Sequence, residues 1–185
     1  QSIMMSPGIL KWVIMLSPLA FILVMNFGIN RMSTFTLQAC FWGFATVMGL
    51  SMSTIFLVYT GASIAQTFFA TSAAFAGLSL WGYTTKKDLS GMDSFLTMGL
   101  IGIIVAMVIN IFLQSTILQL AVSILGVLIF AGLTAYDTQK LKEMFLYSGA
   151  DAEGAAKLSV NGALTLYLDF INMFQMLLSL LGDRR

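Results

Sequence analysis

Two carboxyl groups, Asp137 and Asp169, interrupt stretches that are otherwise free of charge. Asp169 lies close to the middle of an apolar run from Leu158 to Gly182, and Asp137 closes the charge-free run that begins at Ser94. A carboxylate at the centre of a membrane helix costs about 2.5 to 3.5 kcal/mol on insertion scales, so it persists where it faces protein or water and has a partner. Two such groups brought together in a low dielectric cannot both ionise cheaply, and the pair then holds one proton between them. That chemistry is a proton-dependent latch, whose titration belongs to the pair and not to either residue. Oxygen ligands are also what a hard cation such as calcium takes, about six to eight at a time. The two carboxylates, the Asn172 amide oxygen and the hydroxyls of Thr134 and Thr165 make a partial set. A plainer reading stays open for Asp137, an interfacial carboxylate neutralised by Lys140.

Positions around each helix give the pair its context. At about 100° per residue, Asn161, Thr165, Asn172 and Ser179 fall within about 80° of one side of Asp169, a polar stripe on an otherwise oily helix. Ser123 and Thr134 lie within about 60° of Asp137 by the same count, a weaker stripe of the same kind. Such stripes face something other than lipid, either a polar path or interhelical hydrogen bonds with no transport at all.

The elements that must carry these residues follow from apolar runs long enough to cross a bilayer, which takes roughly 20 residues. The first is Trp12 to Asn30. Met32 to Thr85 is too long for one crossing and breaks at Thr60-Gly61-Ala62-Ser63 into spans of 35–59 and 62–83. Ser94 to Tyr136 breaks at a tight turn over Asn110 to Thr116, and Leu158 to Gly182 is the last run. Continuous apolar runs indicate helices, because lipid-facing strands alternate apolar and polar residues. The expectation is an all-α fold, a polytopic transmembrane helical bundle with six visible spans, forming one membrane-embedded domain over residues 1–185. Small residues at four-residue spacing, Ala70 with Ala74 and Ala73 with Gly77, are expected to let helices pack closely. Asp151-Ala-Glu153 reads as a solvated loop, since it lacks the alternating ligands and central Gly of a calcium-binding hand.

Composition agrees with this and removes other functions. Of 185 residues only 9% are charged while 58% are hydrophobic, and mean hydropathy is +0.92. A soluble domain carries about 25% charged residues. The nine Lys and Arg nearly balance eight Asp and Glu, leaving no basic stripe for nucleic acid. Without histidine there is no Ser-His triad, Cys-His dyad or His-ligated zinc or haem. The single Cys40 sits in an apolar run and reads as packing.

Arg31, Lys86, Lys87, Lys140, Lys142 and Lys157 fall on one side of these spans, and Lys11, Arg184 and Arg185 on the other. Positive charge is retained in the cytoplasm, so the richer side is expected inside. The chain opens Gln1-Ser2-Ile3 with no initiator Met and no signal pattern, so a further helix is expected upstream.

Ala135-Tyr-Asp-Thr-Gln-Lys-Leu-Lys142, followed one hydrophilic loop later by Ala163-Leu-Thr-Leu-Tyr-Leu-Asp-Phe-Ile-Asn-Met-Phe174, resembles the paired signature of the Bax inhibitor-1 family. Lys86-Lys-Asp-Leu-Ser90 and Ile109-Asn-Ile-Phe112 are similar to segments of its bacterial members, and the resemblance covers essentially the whole chain. It implies a seven-helix protein of the bacterial inner membrane that leaks calcium in a pH-sensitive manner, needs no cofactor, and uses hydrogen-bonded aspartates at the positions of Asp137 and Asp169 as sensor. Six visible spans against seven agree with a first helix upstream. Some bacterial members add an arginine beside the sensor; Met25-Asn-Phe-Gly-Ile-Asn-Arg31 has no arginine cluster, so Arg31 stays outside the expected site. The resemblance also implies a second role, as an interaction protein that modulates a membrane-anchored AAA protease.

The aspartate pair also invites comparison with an enzyme class. Intramembrane aspartyl proteases also set two Asp on neighbouring helices, one after a Tyr as in Tyr136-Asp137. Their second Asp follows Gly-x-Gly, however, whereas Leu166-Tyr-Leu precedes Asp169, and their Pro-Ala-Leu element is missing because no Pro follows Pro18.

Overall fold

In the computed structural model the described residues are Gly28, 31–149 and 151–184. They form helices joined by short turns, and the nearest approach to a strand is an isolated bridge between Tyr59 and Arg184. In chain order these are α1 (Thr34–Met52), the single turn α2 (Ile55–Val58), α3 (Gly61–Thr84), α4 (Asp93–Leu113), α5 (Thr116–Tyr147) and α6 (Ala152–Leu181). With α1 and α2 counted as one crossing, five helical segments are long and apolar enough to span a bilayer. They correspond to the second to sixth expected spans. The first, Trp12 to Asn30, lies outside the described residues apart from Gly28, as do Lys11 and Arg185.

Side-chain oxygens set the helix limits. Ser33 caps α1 by accepting from Thr36 N–H, and Thr60 caps α3 by accepting from Ser63 N–H at 3.3 Å. Between α1 and α2, Ser53 and Thr54 turn their hydroxyls back onto the Leu50 and Ser51 carbonyls, competing with the helix ladder where it breaks. At the α4–α5 turn Gln114 adopts φ 49°, while Asn110 Oδ1 accepts from Ser115 N–H at 2.9 Å.

Three readings are corrected here. Asp137 does not close its helix, because α5 runs 32 residues to Tyr147. Charge ends an apolar run but not a helix, so Lys140, Lys142 and Glu143 sit on continuing turns. Asp151-Ala-Glu153 is not a free loop: Asp151 caps α6, accepting from Gly154 N–H at 2.8 Å, and Glu153 pairs with Lys157 at 3.3 Å one turn on. Finally, Ala70, Ala73, Ala74 and Gly77 face outward on α3, with nothing within 4 Å of a Cβ placed at Gly77. The buried side of α3 is instead Ser63, Ile64, Thr67, Thr71 and Gly82.

Helix α6 is the hub, packing against α1, α3 and α5. Leu37 and Phe44 of α1 meet Val160 and Leu164 of α6, with half-buried Cys40 packed beside them. Ile64 of α3 meets Phe174 and Leu178 of α6. A third cluster joins Leu96 and Ile103 of α4 to Val122, Ile129 and Tyr136 of α5. The outer surface is apolar, with Phe112 83% and Ile117 82% exposed, as a bilayer requires of its solute. Arg31, Lys86, Lys87, Lys140, Lys142 and Lys157 share one end of the bundle by this helix order, while the α2–α3 and α4–α5 turns and Arg184 share the other.

Candidate functional site

Helices α5 and α6 run antiparallel and form the most extensive interhelical contact. Their polar stripes face each other across that seam. Towards the lysine-rich end, the side chains of Asp137 and Asp169 face each other closely enough to couple electrostatically. Asp169 is buried at 6% exposure, and Asp137 is half-buried. Asp169 Oδ2 is fully enclosed and receives no hydrogen bond from an N–H or hydroxyl among the described residues. Carboxylates are pure acceptors, so the two can bond only when one of them carries a proton.

The other expected members divide. Thr134, completely buried, donates to its own helix at Phe130 O (2.7 Å), and Thr165 donates to Asn161 O (3.0 Å). Their hydroxyl protons are thus spent on the backbone, leaving lone pairs only. Asn172 lies half-buried one turn beyond Asp169. At the far end of the seam Ser123 of α5 and Ser179 of α6 hydrogen-bond at 3.1 Å. Arg31 is exposed at the foot of α1; the charged groups that bear on Asp137 besides Asp169 are Lys140 and Asp93.

Three features had no signal in a linear reading. Tyr136, one residue before Asp137, lies near Asp93, the first residue of α4, where α4 packs against α5. Gln139, buried at 8% exposure, accepts from Leu89 N–H at 2.8 Å and donates to Lys87 O at 2.7 Å, clamping the α3–α4 loop onto α5. At the opposite end a cavity of about 550 Å3 is lined by Asn110, Gln114, Gln119, Ser123, Gln175 and Ser179 among its polar groups, none of them charged. Along the seam the Ser123–Ser179 contact stands roughly 20 Å from the aspartates on α5 and roughly 15 Å on α6. Phe130, Met173 and a Met176 side chain packed against Gly126 fill the interval. Among the described residues no three Asp, Glu, Cys or His converge as a metal cluster.

Among the described residues, five helical segments long and apolar enough to span a bilayer, packed about α5 and α6 with an acidic pair in the seam between these two, define a multi-pass membrane protein. The family model described as "Inhibitor of apoptosis-promoting Bax1" matches residues 1–185, and the chain belongs to this Bax inhibitor-1 family of membrane proteins. Among its relatives, the inner membrane protein YbhL of Escherichia coli is 47% identical over 173 residues, covering 93% of this chain and 74% of YbhL. RP147 of Rickettsia prowazekii is 49% identical, covering 94% of this chain and 73% of that protein. A Caulobacter vibrioides protein is 48% identical, covering 95% and 70% respectively.

Proposed function

We propose that the chain is a pH-sensitive cation leak of the bacterial inner membrane, with calcium as the transported ion and the Asp137–Asp169 pair as its gate. The observation that carries this reading is an enclosed carboxyl whose facing group is a second carboxyl on the neighbouring helix. A shared proton ties α5 to α6. Its loss leaves two like charges in contact, which repel at low dielectric and part the seam or recruit a cation.

The cavity at the far end, where Asn110, Gln114, Gln119, Gln175 and two serines stand among apolar walls, supports this reading as the mouth by which an ion would approach, with Phe130, Met173 and Met176 as the apolar plug between it and the aspartates. Two carboxylates with Asn172 and two threonine oxygens fall short of the full shell calcium prefers, which suits a passing contact better than a resident ion.

Purified protein in liposomes, with calcium flux followed across a pH series, tests this. Asp137→Asn and Asp169→Asn each replace a titrating acid with an amide of equal size, and both are expected to flatten the pH dependence. Flux with an unchanged pH profile in both variants removes the sensor role.

A further inference from the structure

Two cavities at the lysine-rich end share a wall. The first, about 350 Å3, is an apolar slot between α5 and α6 whose sides are Leu141, Phe145, Leu146 and Leu166, with Tyr83 of α3 at its rim. The second, about 220 Å3, is polar and contains Lys86, Lys87 and Lys142. Lys142 and Leu146 line both, so the polar chamber and the apolar slot lie side by side.

Charge on the polar side is only partly answered. Asp88 turns towards its own loop, where it accepts from the Ser90 hydroxyl at 2.6 Å and the Ser90 N–H at 2.9 Å. Glu143 is exposed at the edge and forms no ion pair among the described residues. Lys142 donates to Tyr83 O at 2.7 Å and stands 4.7 Å from the Tyr83 ring centre, which fixes its ammonium at the junction. Among the described residues none of these three lysines pairs with a carboxylate, the ion pair there being Lys157 with Glu153.

We propose that this paired cavity is a binding site for an anionic phospholipid of the surrounding bilayer. One acyl chain occupies the slot lined by Leu141, Phe145, Leu146 and Leu166, and the phosphate sits against Lys86, Lys87 and Lys142. The chemistry matches at both ends: an apolar tail cannot stay in the polar chamber, and a headgroup with net negative charge answers the excess of three lysines over the two carboxylates, Asp88 and Glu143, that line it. The location matches as well, since the slot lies near the end of α5, where Leu146 and Tyr147 are 64% and 83% exposed, and basic residues at the ends of spanning helices stand at headgroup level. The slot adjoins the carboxyl pair, Thr138 following Asp137 and Leu166 standing one turn before Asp169, but lipid retention is read without any measurement of ion flux.

The full-length protein in a neutral detergent, supplied in turn with phosphatidylglycerol, phosphatidylcholine or inorganic phosphate, tests the assignment by thermal unfolding and by lipid retained in native mass spectrometry. Phosphatidylglycerol alone is expected to raise the unfolding temperature by several degrees and to remain bound. Lys86→Gln with Lys87→Gln, on the exposed loop, is expected to abolish the preference for the anionic lipid. Leu166→Trp, which fills the slot, is expected to cut retention about tenfold. An equal rise with phosphatidylcholine, a rise with phosphate alone, or an unchanged preference in either variant overturns the proposal.

Discussion

Gly82 of α3 lies directly against the backbone of Ala135 on α5, so that a Cβ at position 82 would stand 2.9 Å from the Ala135 Cα and closer still to its carbonyl oxygen. The obstacle is main chain, which cannot swing aside as a flexible side chain would. The contact is made two residues before Asp137, and it holds α3 tight against the helix that carries that residue.

Gly82→Ala is therefore expected to lower stability by about 1 to 3 kcal/mol, the usual cost of overpacking, despite its gain in helix propensity. Gly77→Ala is the matched control: nothing lies within 4 Å of the added methyl, so stability should hold or rise slightly. Thermal unfolding of both variants in detergent distinguishes them. Equal stability of the two would show that the helices can part at Gly82 without cost.

Gln139 answers two backbone groups of the α3–α4 loop at once. Gln139→Leu keeps the volume but leaves the buried Leu89 N–H without an acceptor, at a cost of about 1 to 3 kcal/mol. The loop should also loosen, so trypsin should cut at Lys86 and Lys87 several-fold faster than in the parent protein. Unchanged cleavage would mean that the clamp does not restrain the loop.

The hydroxyl pair Ser123–Ser179 is a modest fastening. Hydrogen bonds between membrane helices average about 0.6 kcal/mol in double-mutant cycles, since unfolded helices in lipid also find partners. A cycle with Ser123→Ala and Ser179→Ala should return a coupling of that order. A coupling above about 2 kcal/mol would mark this contact as a principal fastening of the seam.

Asp88 lies in the α3–α4 loop, outside the spanning segments, and the Ser90 hydroxyl and N–H together hold its carboxyl below the ordinary 3.8. A depressed value in the folded state means that the turn's contribution to stability is present above pH 3.8 and fades as pH falls through the lower folded value. The Ser90 amide signal, followed by NMR on acidification, should titrate below 3.8. Titration at or above that value would show that the Asp88–Ser90 bonds do not persist.

Much of the architecture was legible in residue order, because a bilayer demands long apolar helices and the turn residues mark their ends. Thr60 and the segment from Asn110 to Ser115 stand where the breaks were read, and the family signature around Asp137 and Asp169 is carried by contiguous residues. The helical period also placed Ser123 and Ser179 on the faces that meet. Periodicity specifies which residues share a face, since that depends only on local helix geometry.

What covers a face is a matter of three-dimensional packing. The outward turn of Ala73 and Gly77, the backbone contact at Gly82, the Gln139 clamp and the Tyr136–Asp93 approach all join residues far apart in the chain or depend on which side a neighbour occupies. Small and polar residues look alike in sequence whether they meet lipid, protein or water. Only the packing of α3, α5 and α6 decided which, and it also brought Asp137 and Asp169 together across the seam.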